Sequence, residues 1–299
     1  MTDANVSPSS KSPPTRLLMP REPWIHPGTV WVLIRKELRD AVRNRWFLTY
    51  AIAFTVMALG VSYLAQVGTG YSGFAGFGPT AASMINLVIL LVPLMALTLG
   101  AASLPYERDR GMLGYMLAQP VNRIELLLAK YLGLSLSLLG ALALGFGVAG
   151  LVIARQTDPQ QIWMFLRLVG FSAMLALAML SVGLLISTVM RSAGAATGTA
   201  LLAWLVFLLL GDLGLMGSAV IFRMQTPQLF LTAIANPAEC FRLAVIGGFD
   251  ASLDVLGPAG LYAANTFGHG LPWLLAGVLV AWMIVPLLFA AFRFTRKPL

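Results

Sequence analysis

One carboxylate interrupts the run WLVFLLLGDLGLMGSAV. At membrane depth an ionised side chain is costly and by default marks a functional position, so Asp212 is a candidate proton or metal site. The competing reading is structural. Gly211, Gly214 and Gly217 would end or bend the segment there and leave Asp212 near an outer interface, and this is the favoured expectation. Soft copper(I) takes thioether ligands, and the chain has 14 Met. They are scattered (Met57, Met84, Met95, Met116, Met174, Met216 and others) without a Met-x-x-Met cluster, and methionine is also an ordinary filler of apolar packing. Cys240 is the single cysteine, so no internal disulfide or Cys-x-x-Cys pair exists, and His26 and His269 are far apart. No metal site and no directly bound cofactor is therefore expected. H-E-x-x-H and G-x-S-x-G are absent, and none of Lys11, Lys36, Lys130 and Lys297 follows a glycine, which excludes a Walker A phosphate loop in this chain.

The densest polar chemistry lies elsewhere, in LPYERDRGMLGYMLAQPVNRIELLLAK, Leu104 to Lys130. From Trp46 to Tyr106 there is no Asp, Glu, Lys or Arg, and Tyr131 to Ala154 is again free of charge. Between them come Glu107, Arg108, Asp109 and Arg110. Leu113, Met116 and Leu117 follow at i, i+3, i+4 spacing and predict a short amphipathic helix, which Pro120 interrupts. Asn122 is placed to cap a second helix with Glu125 at N3, running straight into the next apolar run. A short exposed helix of this kind suits docking into a groove of another protein or resting on the membrane surface.

The elements that must position these residues follow from composition. Of 299 residues 58% are hydrophobic and 11% charged, and the mean hydropathy is +0.82. Soluble domains carry roughly 25% charged residues, so the bilayer is the natural solvent. An all-α integral membrane protein is expected, with six spans near 47–66, 81–104, 131–154, 166–190, 193–222 (the fifth broken or bent) and 272–294. The net charge of +8 would suggest nucleic acid in a soluble protein, but the basic residues flank apolar runs and no nucleic acid partner is expected. Of the 20 Lys and Arg, all but Arg155, Arg167, Arg223 and Arg242 fall on one side of such a layout, which places both termini in the cytoplasm.

Residues 1–27 are rich in Ser, Pro and charge and read as a disordered cytoplasmic tail. The first long apolar run begins near Trp46, so no signal peptide is expected at the start. Residues 28–46 predict an amphipathic helix. Val30, Ile34, Leu38 and Val42 form its apolar stripe, with Arg35, Lys36, Arg39 and Arg43 available to anionic lipid. The six-helix domain would occupy 47–299, with a cytoplasmic loop at 105–130 and an outer loop at 223–271. In the outer loop, ANPAECFRLAVIGG carries an N-cap (Asn236), a proline at N1 (Pro237), Glu239 at N3 and a glycine stop (Gly247). A helix of about ten residues is expected there, lying at the outer membrane interface or meeting a periplasmic partner, with Arg242 set among the apolar Phe241, Leu243 and Val245.

This layout resembles the ABC-2 type permeases. The resemblance rests on Glu107, then Arg110-Gly111-Met112-Leu113, then Gln119-Pro120-Val121-Asn122-Arg123 and Glu125 to Lys130, and it extends over nearly the whole chain from Val30. It implies a type V exporter-like arrangement whose loop after span two is a coupling helix. Glu107, Arg110, Gly111, Leu113, Met116, Leu117, Pro120, Arg123 and Glu125 would then engage a separate cytoplasmic ATPase that binds the ATP and Mg. The chain itself would not be an enzyme. Asp212 in its leucine-rich span and Asn236-Pro237-Ala238-Glu239-Cys240-Phe241-Arg242-Leu243 look like the permeases of nitrous oxide reductase maturation. That narrower resemblance implies a homodimer, a NosF-like ATPase, a periplasmic NosD-like protein and copper handled by the partners in the bacterial inner membrane. The Pro- and Ser-rich tail departs from the pattern. An ABC-2 exporter of a drug, lipid or ion is the alternative, and a membrane enzyme or channel a remote one. A channel should line several spans with polar side chains, whereas Asn86 is the only amide well inside a span.

Overall fold

The computed structural model describes residues 27–68, 78–112, 122–154, 159–221, 226–247, 262–263 and 265–296, and among these it is all helical. We number the helices α1 (Pro27–Arg43), α2 (Arg45–Gly68), α3 (Gly78–Asp109), α4 (Arg123–Ala154), α5 (Pro159–Val189), α6 (Ala193–Ile221), α7 (Thr226–Ile234), α8 (Pro237–Ile246) and α9 (Leu271–Arg296). A 3-10 turn, Gly268–Gly270, leads into α9. Five helices, α3, α4, α5, α6 and α9, are long and apolar enough to cross a membrane on their own. The number rises to seven if the bent pairs α1–α2 and α7–α8 each count as one span.

Apolar helices gain little from one another in lipid, because lipid tails are equally apolar; association there depends on close packing. Glycines supply it. A Cβ on Gly100 of α3 would lie 2.8 Å from the Leu180 carbonyl oxygen, and one on Gly183 of α5 would lie 2.7 Å from that of Leu97. The α3 and α5 backbones therefore touch, and around them Met84, Val88, Val92, Leu175, Met179 and Leu180 form the main core. On the other flank α2 meets α4 where Phe54 covers Gly145, and Phe54, Phe146 and Phe165 stack edge to face at 5.2 and 6.0 Å.

Proline did not end α3, contrary to a loop beginning at residue 105. Pro93 and Pro105 lie inside the helix. Near the second, the Ser103 hydroxyl donates to the Gly100 carbonyl at 2.7 Å, and the Leu104 N–H donates to Ser187 Oγ of α5 at 3.0 Å. A neighbouring serine thus satisfies the local backbone, which is how spans tolerate proline. Other buried hydroxyls (Thr98, Ser137, Ser172, Ser181) donate to carbonyls of their own helices.

Three further expectations change. α6 runs unbroken through Gly211 to Ile221, so the segment does not end at that glycine; Asp212 lies on the helix, and its side chain is outside the described residues. The ten-residue helix appears as α8, with Asn236 capping the Ala238 N–H, proline in the first turn and Gly247 at the C-cap. It does not lie at a surface, because eight of its ten residues are buried against α5, α9, α6 and α3. The preceding α7 was not anticipated, and the two meet at 112°.

Candidate functional site

On α1 the buried stripe is Ile34, Glu37 and Ala41, while Val42 is exposed. The expected apolar face is therefore rotated, and the reason is polar. Glu37 turns inward because two ammonium groups await it. α1 lies against α4 so closely that a Cβ on Gly133 would come within 2.5 Å of Glu37 Cβ. One turn before Gly133 on α4, Lys130 is 1% exposed, and its Nζ donates to Glu37 Oε1 at 3.0 Å. The same Nζ lies 2.9 Å from Glu107 Oε1 at the end of α3. Lys36 closes the arrangement from the other side, with Nζ 2.6 Å from Glu107 Oε1, 3.2 Å from Glu37 Oε1 and 3.6 Å from Asp40 Oδ2.

Two carboxylates and two ammonium groups thus pin α1 to both helices that flank residues 113–121. Burial alone would depress the Lys36 amine, but Glu37 and Glu107 outweigh that, so it is held above its ordinary value and stays charged. Glu107 Oε1 serves both lysines, and its buried Oε2 has no hydrogen-bond partner among the described residues.

The neighbouring residues fasten further helix ends. Arg108 Nη1 donates to the Met190 carbonyl at 3.2 Å, just past the end of α5. Asp109 Oδ2 accepts from the Ala193 N–H at 2.9 Å, capping α6. Arg123 Nη1 donates to the Phe294 carbonyl of α9 at 3.0 Å. The Asn122 N–H donates to Glu125 Oε2 at 2.9 Å, the reciprocal half of a capping box. Gly111 has φ +70°, a left-handed conformation that favours glycine, and its N–H donates to the Arg108 carbonyl at 2.9 Å to close α3. Arg110 stacks over the Tyr106 ring at 4.1 Å.

Of the residues read as ATPase-coupling, Glu107, Arg110, Gly111, Arg123 and Glu125 are gathered at this end of the bundle. Glu107 and Glu125 are buried, so their side chains order the junction rather than form its surface. Leu113, Met116, Leu117 and Pro120 lie outside the described residues. Arg35, Arg39 and Arg43 are exposed on α1, while Lys36 turns into the ion cluster. Glu37 and Lys130 had not been singled out. Their signal was present: Lys130 stands at the lip of a charge-free run, where a lysine needs a partner.

At the opposite end, Asn236, Glu239 and Arg242 come together on α8. Arg242 Nη1 is 3.0 Å from Glu239 Oε1, and Asn236 Nδ2 donates to the Phe207 carbonyl of α6 at 2.7 Å. Gly211 faces them; a Cβ there would lie 2.6 Å from Glu239 Oε1. Cys240 is buried, its thiol 3.4 Å from the Leu275 carbonyl, and no group of three or more His, Cys, Asp or Glu that could hold a metal occurs among the described residues.

Comparison with known proteins agrees with this architecture. The ABC-2 family transporter protein model matches residues 31–299. The chain is similar to a probable ABC transporter permease protein NosY of Stutzerimonas stutzeri, with 33% identity over 274 residues, 90% of this chain and 98% of that protein. It is also similar to the protein of the same name from Pseudomonas aeruginosa, with 34% identity over 229 residues, 75% and 83% of the two chains.

Proposed function

This chain belongs to the ABC-2 transporter family as a membrane-spanning permease subunit, and from that premise we propose that it transmits the stroke of a separate ATPase across the bacterial inner membrane. In this reading α2, α3, α4, α5, α6 and α9 are six spans, both termini are cytoplasmic, and the charged end of the bundle faces the ATPase. Two copies pair. A periplasmic protein receives the motion, which supports copper-site assembly in nitrous oxide reductase. ATP and Mg stay on the ATPase, and copper stays with the partner proteins.

The observation that carries the reading is the Lys36–Glu37–Glu107–Lys130 cluster. A push on residues 113–121 moves the end of α3 and the start of α4, and the cluster makes α1 move with them. Arg108, Asp109 and Arg123 hand the same displacement to α5, α6 and α9. Coupling of this kind needs an element with two arrangements, biased from one side and read on the other. Charge pairs between separate helices can exchange partners in a way that close-packed glycines cannot. The copper assignment is supported by the name that the two relatives share and by Asn236 to Leu243.

The test is a pull-down of the tagged chain in detergent from its own host, with bound proteins identified by mass spectrometry. An ATPase and a periplasmic copper-maturation protein are the expected companions. An ATPase alone would favour a general ABC-2 exporter, and no ATPase would overturn the proposal. In the intact complex, Glu107→Ala should insert normally yet lower maturation per ATP hydrolysed on the order of tenfold. Asp212→Asn should leave nitrous oxide reductase copper content unchanged; loss at normal expression would give Asp212 a chemical role.

A further inference from the structure

The outward face of α1 has a chemistry that the ion cluster does not use up. Trp31 and Val32 are 65% and 67% exposed, and Arg35, Arg39 and Arg43 follow them on the exposed side. Val32, Arg35, Lys36, Arg39 and Asp40 line an open cleft of about 310 Å³. Among the described residues neither Arg35 nor Arg39 has an ion-pair partner. The helix bends 66° from α2, so it lies across the mouth of the bundle instead of continuing the span. Apolar and aromatic side chains beside guanidinium groups, on a helix lying across a span, match the headgroup layer of an anionic leaflet. An acidic protein surface would satisfy the arginines but would have no use for Trp31 and Val32 at the level where the first span begins.

Lys36 belongs to both places. It lines the cleft with its side chain 30% exposed, and it holds Glu107 at 2.6 Å and Glu37 at 3.2 Å inside. We propose that the α1 cleft binds the phosphate of an anionic phospholipid, and that this phosphate competes with Glu107 for Lys36, so that lipid occupancy loosens the junction between α1 and α3. The proposal rests on the reading above that this end of the bundle faces the cytoplasmic leaflet. Asp40, also in the cleft, repels the phosphate and sets a limit on how deep it sits. Linkage is reciprocal: if lipid weakens the Lys36–Glu107 pair, weakening that pair must strengthen lipid binding.

The experiment uses the full-length chain in mild detergent with equimolar phosphatidylglycerol and phosphatidylcholine, and native mass spectrometry to count the lipid retained. Phosphatidylglycerol should be preferred. Arg35→Gln with Arg39→Gln should weaken its retention about fivefold for each guanidinium removed, while Arg293→Gln with Arg296→Gln should not. Glu107→Gln, or Glu37→Gln if the first does not fold, should tighten retention several-fold. Asp109→Asn, an equal change of charge at the same end, should leave it unaltered. Equal retention of both lipids by the wild type would overturn the site. Equal losses in the α1 and tail variants would reduce it to diffuse attraction, and identical effects of Glu107→Gln and Asp109→Asn would remove the competition for Lys36. Loss of the ATPase from the pull-down in the Arg35 and Arg39 variants, with lipid retained, would make the cleft a protein dock. None of these outcomes touches the proposed coupling to an ATPase, which is tested by the wild-type pull-down.

Discussion

Each end of the bundle buries a glutamate, and the cations paired with them come from different places. Glu107 is bound by Lys36 of α1 and Lys130 of α4, so its partners come from two other helices. Glu239 is bound by Arg242, one turn along the same helix. The first pairing ties separate elements together and changes when they move. The second lies within α8, so movement of that helix as a body leaves it intact. The charged end is thus built to rearrange, and the α7–α8 hairpin is built to be carried as a body, gripped by Asn236 on the Phe207 carbonyl and by the fit of Gly211.

The sharpest way to break that contrast is at Lys130. Lys130→Met leaves two buried carboxylates with Lys36 as their ammonium partner from the cluster. Breaking a buried ionic group in this way costs about 3–5 kcal/mol. We expect a large fall in the thermal midpoint of the detergent-solubilised protein, largely recovered by adding Glu37→Met. Failure of the second change to rescue would mean that Lys130 serves packing alone.

The same contrast explains what could be read from the sequence. Caps are local, so Asn122 with Glu125, and Asn236 with Pro237 and Gly247, were legible from residues a few positions apart. The long apolar helices were legible because roughly 20 apolar residues in a row have few other uses. The cluster was not. Glu37 and Lys130 are 93 positions apart, and on α1 the every-fourth-residue pattern of Val30, Ile34, Leu38 and Val42 competed with the true stripe through Glu37. α7 was missed because TPQLFLTAI has only nine residues, too few for its buried Leu229, Phe230 and Ala233 to stand out as a period. The continuation of α3 past Pro105 to Asp109 was not legible either, since the Ser187 hydroxyl that accepts the Leu104 N–H belongs to another helix.

At the opposite end the expected effect is smaller. Gly211→Ala forces a methyl toward Glu239 Oε1, so either the buried Glu239 carboxylate shifts from its pairing with Arg242 or α6 backs away from α8. Overpacking of this kind costs about 1–3 kcal/mol. The thermal midpoint should fall modestly. Crosslinking between cysteines placed on α6 and α8 should slow, whereas crosslinking between α1 and α4 should not change. A disturbance that spread to α1 would show that the two ends are not separable as argued here.

The smallest effect sharpens the charged end without touching its charges. Gly111 closes α3 at φ +70° and sends the chain onward from Glu107. Among the described residues a Cβ there meets nothing within 4 Å, so Gly111→Ala tests backbone conformation. The left-handed region costs a non-glycine residue about 1 kcal/mol, too little to unfold a bundle whose glycine contacts and ion cluster remain. That strain falls on the exit from α3, the segment on which the ATPase is proposed to push. Gly111→Ala should therefore cost no more than about 1 kcal/mol of stability, a small shift of the thermal midpoint, and yet lower maturation per ATP hydrolysed. The Lys130 variant should lose stability and coupling together. If Gly111→Ala coupled normally, the direction in which the chain leaves α3 would be irrelevant to the stroke, and the ion cluster would have to act as a static clamp.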